Sequence, residues 1–347
     1  MEKIMEKIKL GNTEVGTKDK CMFFAEIGAM YESLQDMKKL IRLCKKAGAD
    51  AVKIQTFKAE NLALPGSEFT LENGQTISQF DFFKQYEISA KVHKILFKYA
   101  EEIGIMMFST PSHVEDVELL EKLGTPFYKT GSDDLTNLPF LKYIGKKNKP
   151  VILSTGMSTL SEIETAIHTV QRTGNDQIIL MQCTTSYPSS PENANLKVIQ
   201  TLKNTFGLPV GYSDHVPGSL PSVLAAAMGA CVVEKHMTLD RKLKRPDYEV
   251  SAEPDELHQI IQQIRMIPVL KGSGIKSIAP SEKKWRRNAR KSLVASKNIK
   301  KGELFTENNI SIMRPGSGIH PGHLEFVLGR KALKNIPKHQ MISKDMF

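Results

Sequence analysis

The chain has 347 residues, 40% hydrophobic and 25% charged, the make-up of a soluble globular protein with room for one domain of about 250 residues and a smaller one. Its net charge of +10 is unevenly placed: from Lys271 onward 17 Lys and Arg face 5 Asp and Glu, a net of +12, whereas the first 270 residues, with 31 against 33, carry −2. No apolar run approaches the roughly 20 residues that span a bilayer, and the alternating Glu and Lys of residues 1–9 lack the apolar core of a signal peptide, so no membrane partner and a cytoplasmic location are expected.

Strand and helix patterns then alternate along the chain. Residues 21–27 (CMFFAEI) form an apolar run ending at Glu26 and Gly28, and a helix is predicted over 33–47, where Met37, Leu40, Ile41 and Cys44 recur at helical spacing. The next strand, 51–55, delivers Lys53 and Gln55 to one face. A polar segment over 56–85, too long for an ordinary connection, reads as a lid or substrate loop. Six more units follow: helix 92–102 and strand 105–110, helix 114–123 and strand 127–131, helix 138–144 and strand 151–155, helix 160–171 and strand 178–183, helix 196–202 and the strand ending at His215, helix 220–228 and the strand ending at His236. A helix over 254–270 completes eight strands and eight helices.

Eight such units predict an α/β fold of the closed (β/α)8 TIM-barrel kind over residues 1–270. No glycine-rich dinucleotide fingerprint follows the first strand, which counts against an open sheet. Residues 271–290 show no periodic pattern and read as a linker. Residues 291–347 hold short apolar pieces between Gly and Pro turns, the pattern of a small, mostly β domain that leans on another surface. The four cysteines have no metal-finger spacing and are expected as buried free thiols. The basic tail leaves nucleic-acid or polyanion binding as an alternative from another class, but interleaved aromatics, a basic recognition helix and zinc spacing are all missing, so no nucleic acid is expected.

In such a barrel the reactive groups gather at the C-terminal ends of the strands. Those ends carry Glu26, Lys53 with Gln55, Thr110, Lys129 with Ser132 and Asp134, Ser154, Thr185 with Tyr187, Ser213 with His215, and Glu234 with His236. Each alone has a plain reading, as a helix cap or a snorkelling lysine, but capping does not make every strand end polar. Ser213 and His215 share a strand face, as do Glu234 and His236, while Asp214 and Lys235 point the other way. Parallel neighbours would bring the two imidazoles within reach of one ion. Two histidines with nearby oxygens can hold a divalent metal with open positions, and two lysines among hydroxyls suit a phosphorylated, carboxylated small molecule.

The ordered motifs Ala25-Glu-Ile-Gly28, Val52-Lys-Ile-Gln-Thr56, Phe108-Ser-Thr-Pro111, Lys129-Thr-Gly-Ser132, Leu153-Ser-Thr-Gly-Met157, Gly211-Tyr-Ser-Asp-His215, Glu234-Lys-His236, Arg245-Pro-Asp247 and Arg314-Pro-Gly316 resemble those of the bacterial sialic acid synthase family, which includes N-acetylneuraminate, legionaminate and pseudaminate synthases. The resemblance covers nearly the whole chain and implies a barrel followed by an antifreeze-protein-like (SAF) domain in a domain-swapped homodimer. It also implies a transferase that condenses phosphoenolpyruvate with an N-acetylated amino sugar, N-acetylmannosamine foremost, to give a nonulosonic acid and phosphate. In family terms His215 and His236 hold a manganese-type ion, with magnesium or cobalt as alternates. Lys53, Gln55, Thr110, Lys129, Ser132, Ser154 and Ser213 would bind phosphoenolpyruvate; Glu26 and Asp247 would serve the proton transfers; Asp134, Thr185, Tyr187 and Arg314 would meet the sugar, Arg314 from across the dimer. The chain departs from the family pattern at Ala29 to Ser33, at Asp133 and Asp134, and at Thr185 to Tyr187. These departures fall on the sugar side and leave the acceptor open.

Overall fold

The computed structural model describes residues 7–16, 20–29, 31–70 and 76–347, so the first six residues and the middle of the 56–85 segment lie outside the described residues. The chain divides into two compact units, one ending at Lys271 and the other beginning at Gly272.

The first unit is built on eight parallel strands: β1 (Met22–Glu26), β2 (Ala51–Thr56), β3 (Met106–Pro111), β4 (Tyr128–Lys129), β5 (Val151–Ser154), β6 (Ile178–Cys183), β7 (Val210–Asp214) and β8 (Val232–His236). Hydrogen bonds link them in the order β3-β2-β1-β8-β7-β6-β5-β4, and β3 and β4, the two ends of that order, pack against each other. The expected eight-stranded barrel is therefore present. The strand expected over 127–131 pairs only at Tyr128 and Lys129, because the chain turns off at Gly131 towards Asp134.

Seven helices follow strands in turn, α1 (Leu34–Ala47), α2 (Ala90–Ile103), α3 (Val114–Lys122), α4 (Leu138–Gly145), α5 (Leu160–Gln171), α6 (Lys197–Phe206) and α7 (Leu220–Ala227), and α8 (Pro254–Lys271) follows β8. Their starts obey local rules: Ser33, Ser89 and Asn137 accept from the third backbone N–H beyond them, and Thr159 with Glu162 forms a reciprocal capping box. The apolar stripe of each helix covers the outer face of the sheet, where Leu40, Leu96, Leu120, Ile163, Leu202 and Ile260 are buried.

Period-two alternation splits the barrel interior into layers. Phe24, Ala51, Phe108, Phe127, Ile152, Met181 and Val232 form an apolar lower layer together with Ile8, Leu10 and Val15 of an N-terminal hairpin. Phe24, Phe108 and Phe127 pack ring against ring, at centroid separations of 4.5 to 5.7 Å. On β7 this level is Gly211, where a Cβ would lie 2.8 Å from the Val232 carbonyl and 2.9 Å from Met181 Sδ. Two residues further along the same strands stand Glu26, Lys53, Thr110, Lys129, Ser154, Cys183, Ser213 and Glu234, every one buried.

The 56–85 segment contains a helical turn at Ala59–Leu62, a short hairpin pairing Glu68–Thr70 with Thr76–Ser78, and a helix at Gln79–Gln85. Within the stretch expected as a linker, Glu282–Ala289 is helical (α9). In the second unit β9 (Ser292–Ala295) pairs antiparallel with β10 (Ile310–Met313), and isolated bridges join 294 to 341, 299 to 336 and 304 to 331. Leu293, Phe305, Val327, Ile336 and Ile342 form its core. All four cysteines are free, three of them buried and Cys21 partly so. Among the described residues no helix is long and apolar enough to cross a membrane.

Candidate active site

The polar layer forms the floor of a cleft at the C-terminal ends of the strands, with about 860 Å³ of empty space, part of it open to solvent. The floor is a network of paired charges. Glu26 Oε2 contacts Lys53 Nζ, while its Oε1 accepts from the Gly28 N–H at 2.6 Å. Glu234 Oε1 sits between both lysines, 3.6 Å from Lys53 Nζ and 3.3 Å from Lys129 Nζ, and accepts from Ser213 Oγ at 3.1 Å. Lys129 donates to Ser154 Oγ at 2.9 Å, and Lys53 to Thr110 Oγ1 at 3.4 Å.

Burial sets the electrostatics of this floor. It opposes the charge on Lys53, but Glu234 and Glu26 outweigh it and raise the lysine above its ordinary value. Burial likewise opposes charge on Glu234, and Lys129 and Lys53 overcome it, holding that carboxyl below its ordinary range. Glu26 goes the other way: burial dominates over Lys53 and pushes it up. The two carboxyls thus differ in proton affinity although they share a lysine.

The histidines arrive as the alternation requires. Their ring centroids are 5.7 Å apart at an interplanar angle of 62°. His215 Nδ1 lies 2.7 Å from the Thr184 carbonyl oxygen, which can only accept, so Nδ1 carries the proton and Nε2 presents a lone pair. His236 Nδ1 is buried and has no hydrogen-bond partner among the described residues; Asp247 Oδ2 is 3.8 Å from it. Burial lowers His215 to about 4 and holds His236 well below its ordinary value, so both rings are neutral near pH 7, the form that ligates a metal. An orphaned imidazole nitrogen beside one whose tautomer is fixed fits a divalent cation. Among the described residues no three His, Cys, Asp or Glu groups converge in a metal-holding cluster, so an ion held by these two rings would draw its remaining donors from water and substrate.

The other expected site residues divide into those that face the cleft and those that do not. Gln55, Ser132, Thr185 and Tyr187 line it. The Tyr187 ring packs 4.2 Å from that of His215, and Ser132 Oγ accepts from the Gly156 N–H at 3.1 Å. A Cβ on Gly156 would fall 2.4 Å from Thr185 Oγ1 and 2.7 Å from Ser132 Oγ, so this glycine is what lets the two hydroxyls converge. Asp247 adopts a left-handed conformation with φ of 59°, and burial raises its carboxyl to about 6. Asp134 is not among the lining residues; its Oδ1 accepts from Asn137 Nδ2 at 3.0 Å, and the neighbouring Asp133 lines the cleft in its place. Arg314 is an exposed residue of the second unit, directly after β10.

Several lining groups were given no role from the sequence. Glu234 was legible only as a strand-end residue, yet it bridges both lysines. Phe57, Leu62, Phe83 and Met157 give the rim an apolar side, and no periodicity marks them because they lie in loops and in the 56–85 segment.

Comparison with known proteins follows the same outline. A profile of the NeuB family matches residues 40–276, and one of the SAF domain matches residues 290–347. The chain is 43% identical over 332 residues to N,N'-diacetyllegionaminic acid synthase of Campylobacter jejuni, covering 93% of this chain and 99% of that protein. It is 37% identical over 338 residues to pseudaminic acid synthase of the same species, covering 95% and 96%. Among solved structures, an N-acetylneuraminic acid synthetase of Leptospira borgpetersenii aligns with a TM-score of 0.72 at 32% identity, covering 81% of this chain and 95% of the other.

Proposed function

Since the chain belongs to the NeuB family, we propose that it condenses phosphoenolpyruvate with an N-acetylated amino sugar, releasing phosphate and forming a nonulosonic acid. One observation carries this reading: two lysines and a set of hydroxyls share a single cleft with two neutral imidazoles. Lys53 and Lys129, with Thr110, Ser132, Ser154 and Ser213, suit an enol phosphate carboxylate, since ammonium groups neutralise its charge and hydroxyls donate to its oxygens. Gln55 borders the same place. His215 and His236 would hold a divalent ion, manganese foremost, which when bound supplies Lewis-acid polarisation of the sugar's aldehyde oxygen.

Carbon 3 of the enol attacks the aldehyde carbon, water adds at carbon 2, and phosphate then departs with the bridging oxygen. Glu26, held between the Gly28 N–H and Lys53, and Asp247, beside His236, would serve the accompanying proton transfers. Thr185, Tyr187 and Asp133 suit the sugar's hydroxyls. Arg314 would serve the acetamido group from a partner subunit of a homodimer.

A second reading narrows the acceptor. Phe57, Leu62, Phe83 and Met157 give the cleft an apolar side that suits a 6-deoxy sugar better than a polyol, and 43% identity to a legionaminic acid synthase supports a 2,4-diacetamido-2,4,6-trideoxymannose acceptor over N-acetylmannosamine. Phosphate release from phosphoenolpyruvate, assayed with each sugar in the presence and absence of Mn2+, tests both readings. Release with either sugar is expected, and faster release with the diacetamido sugar supports the narrower reading. Metal-replete enzyme that releases phosphate with neither refutes the condensation.

A further inference from the structure

On the face of β7 and β8 turned away from the cleft lies a buried ion pair that the chemistry above leaves unused. Asp214 immediately precedes His215 and Lys235 immediately precedes His236, and the two are register partners across the strand pair. Lys235 Nζ donates to Asp214 Oδ2 at 3.1 Å and to the Val216 carbonyl at 2.8 Å. Ser222 Oγ, from α7, donates to the same Oδ2 at 2.6 Å, and the Val216 N–H donates to Oδ1 at 3.0 Å. Asp214, Lys235 and Ser222 are at most 2% exposed.

Net stability does not explain such a pair. Desolvating two charges cancels most of their attraction, and apolar side chains of similar volume commonly serve a core as well or better. What the pair does provide is directional: the carboxylate and the ammonium hold the N–H and the carbonyl of Val216, directly after His215, and their own contact clamps Asp214, directly before it, to the residue before His236. Side chains alternate along a strand, so a clamp on the outer face fixes where the next side chains emerge on the inner one. The His215 ring is further held by the Thr184 carbonyl and its own carbonyl by the Ser189 N–H at 2.8 Å. Among the described residues the His236 ring has no comparable hydrogen bond at Nδ1, so its placement depends more on its backbone.

Resting on the two-histidine reading above, we propose that Asp214 and Lys235 are positioning residues that set the separation and orientation of the His215 and His236 rings for one divalent cation. A pair that served stability alone would move the melting temperature and leave cation affinity untouched; a positioning pair does the reverse.

The test uses the full chain and Mn2+ alone, with affinity measured by titration calorimetry without substrates and melting temperature measured without metal. The double variant Asp214→Asn, Lys235→Met removes both charges in near-isosteric form. It is expected to melt close to wild type and to bind Mn2+ about tenfold more weakly, as loss of an outer-shell support does elsewhere. Ser222→Ala, which frees one side of the carboxylate, is expected to weaken binding about threefold, a smaller loss of the same kind. If the double variant binds Mn2+ within twofold of wild type, positioning is overturned; if it does not fold, Ser222→Ala decides in the same way. His215→Ala separates the two levels. Should wild type bind no better than His215→Ala, the two-histidine reading fails and takes the positioning role with it; should wild type bind better than that variant yet match the double variant, only the positioning role fails.

Discussion

The lower and upper layers of the barrel interior are two residues apart on the same strands and obey opposite rules. Below, Phe24, Phe108 and Phe127 fill space with carbon and are entirely buried. Above, Glu26, Lys53, Lys129 and Glu234 are nearly as buried but are ionisable, each paired with another. The strand geometry is common to both, so what separates a packed core from a reactive floor is which side chains the sequence sends inward at each level. The lower layer can be tight because nothing has to enter it. The upper layer balances its charges internally, and the proposed anionic substrate would compete with the carboxylates for the lysines.

That contrast predicts that damage to the lower layer costs stability and damage to the upper layer costs chemistry. Phe127→Ala, removing a ring packed against two others, should destabilise the chain by about 4 kcal/mol while folded enzyme at low temperature keeps its turnover, as denaturant melts and phosphate-release assays would record. Equal loss of turnover and stability would dissolve the distinction. His215→Ala should leave the melting temperature nearly unchanged and lower phosphate release about 10²- to 10³-fold, roughly 3 to 4 kcal/mol of barrier. Full activity in that variant would remove the cation from the account. Between these extremes, Gly156→Ala places a methyl group against Thr185 and Ser132; it should raise the KM for phosphoenolpyruvate about tenfold, near 1.4 kcal/mol, with kcat little changed, and an unaltered KM would show that the hydroxyls can step aside.

The smallest expected effect lies outside the cleft and concerns pH. Burial raises Asp116, in the first turn of α3, to about 6, above the roughly 3.9 of an unfolded chain. The folded state therefore favours the protonated carboxyl, and its contribution to stability is complete below about pH 3.9 and is lost as the pH rises through about 6. Asp116→Asn, which can still accept from the Ser112 N–H that Asp116 bonds at 3.3 Å, should match wild type near pH 4 and melt at a higher temperature than wild type near pH 7. Parallel melting curves across that range would mean the carboxyl is already solvated.

Much of this molecule was legible in the chain because two periods carry it. Met37, Leu40, Ile41 and Cys44 mark a helix stripe and are buried in the structure. The apolar runs before His215 and His236 mark neighbouring parallel strands, and the register pairs Ser213 with Glu234. Asp134 was harder to place, since a turn at 131–137 has no period to say which of two adjacent aspartates faces inward. The helix of residues 282–289 escaped notice because its exposed, mostly charged residues leave no apolar stripe.

The sequence by itself determined the barrel, the inward face of each strand and the pair of imidazoles at its mouth, because period-two alternation and strand order need only local information. Only the tertiary structure decided that Glu234 lies between two lysines, that Tyr187 packs against His215, and that Asp214 and Lys235 clamp the strands from behind. Those contacts join side chains 21 to 181 positions apart, and such distances are set by how the strands close on one another, which no single stretch of sequence records.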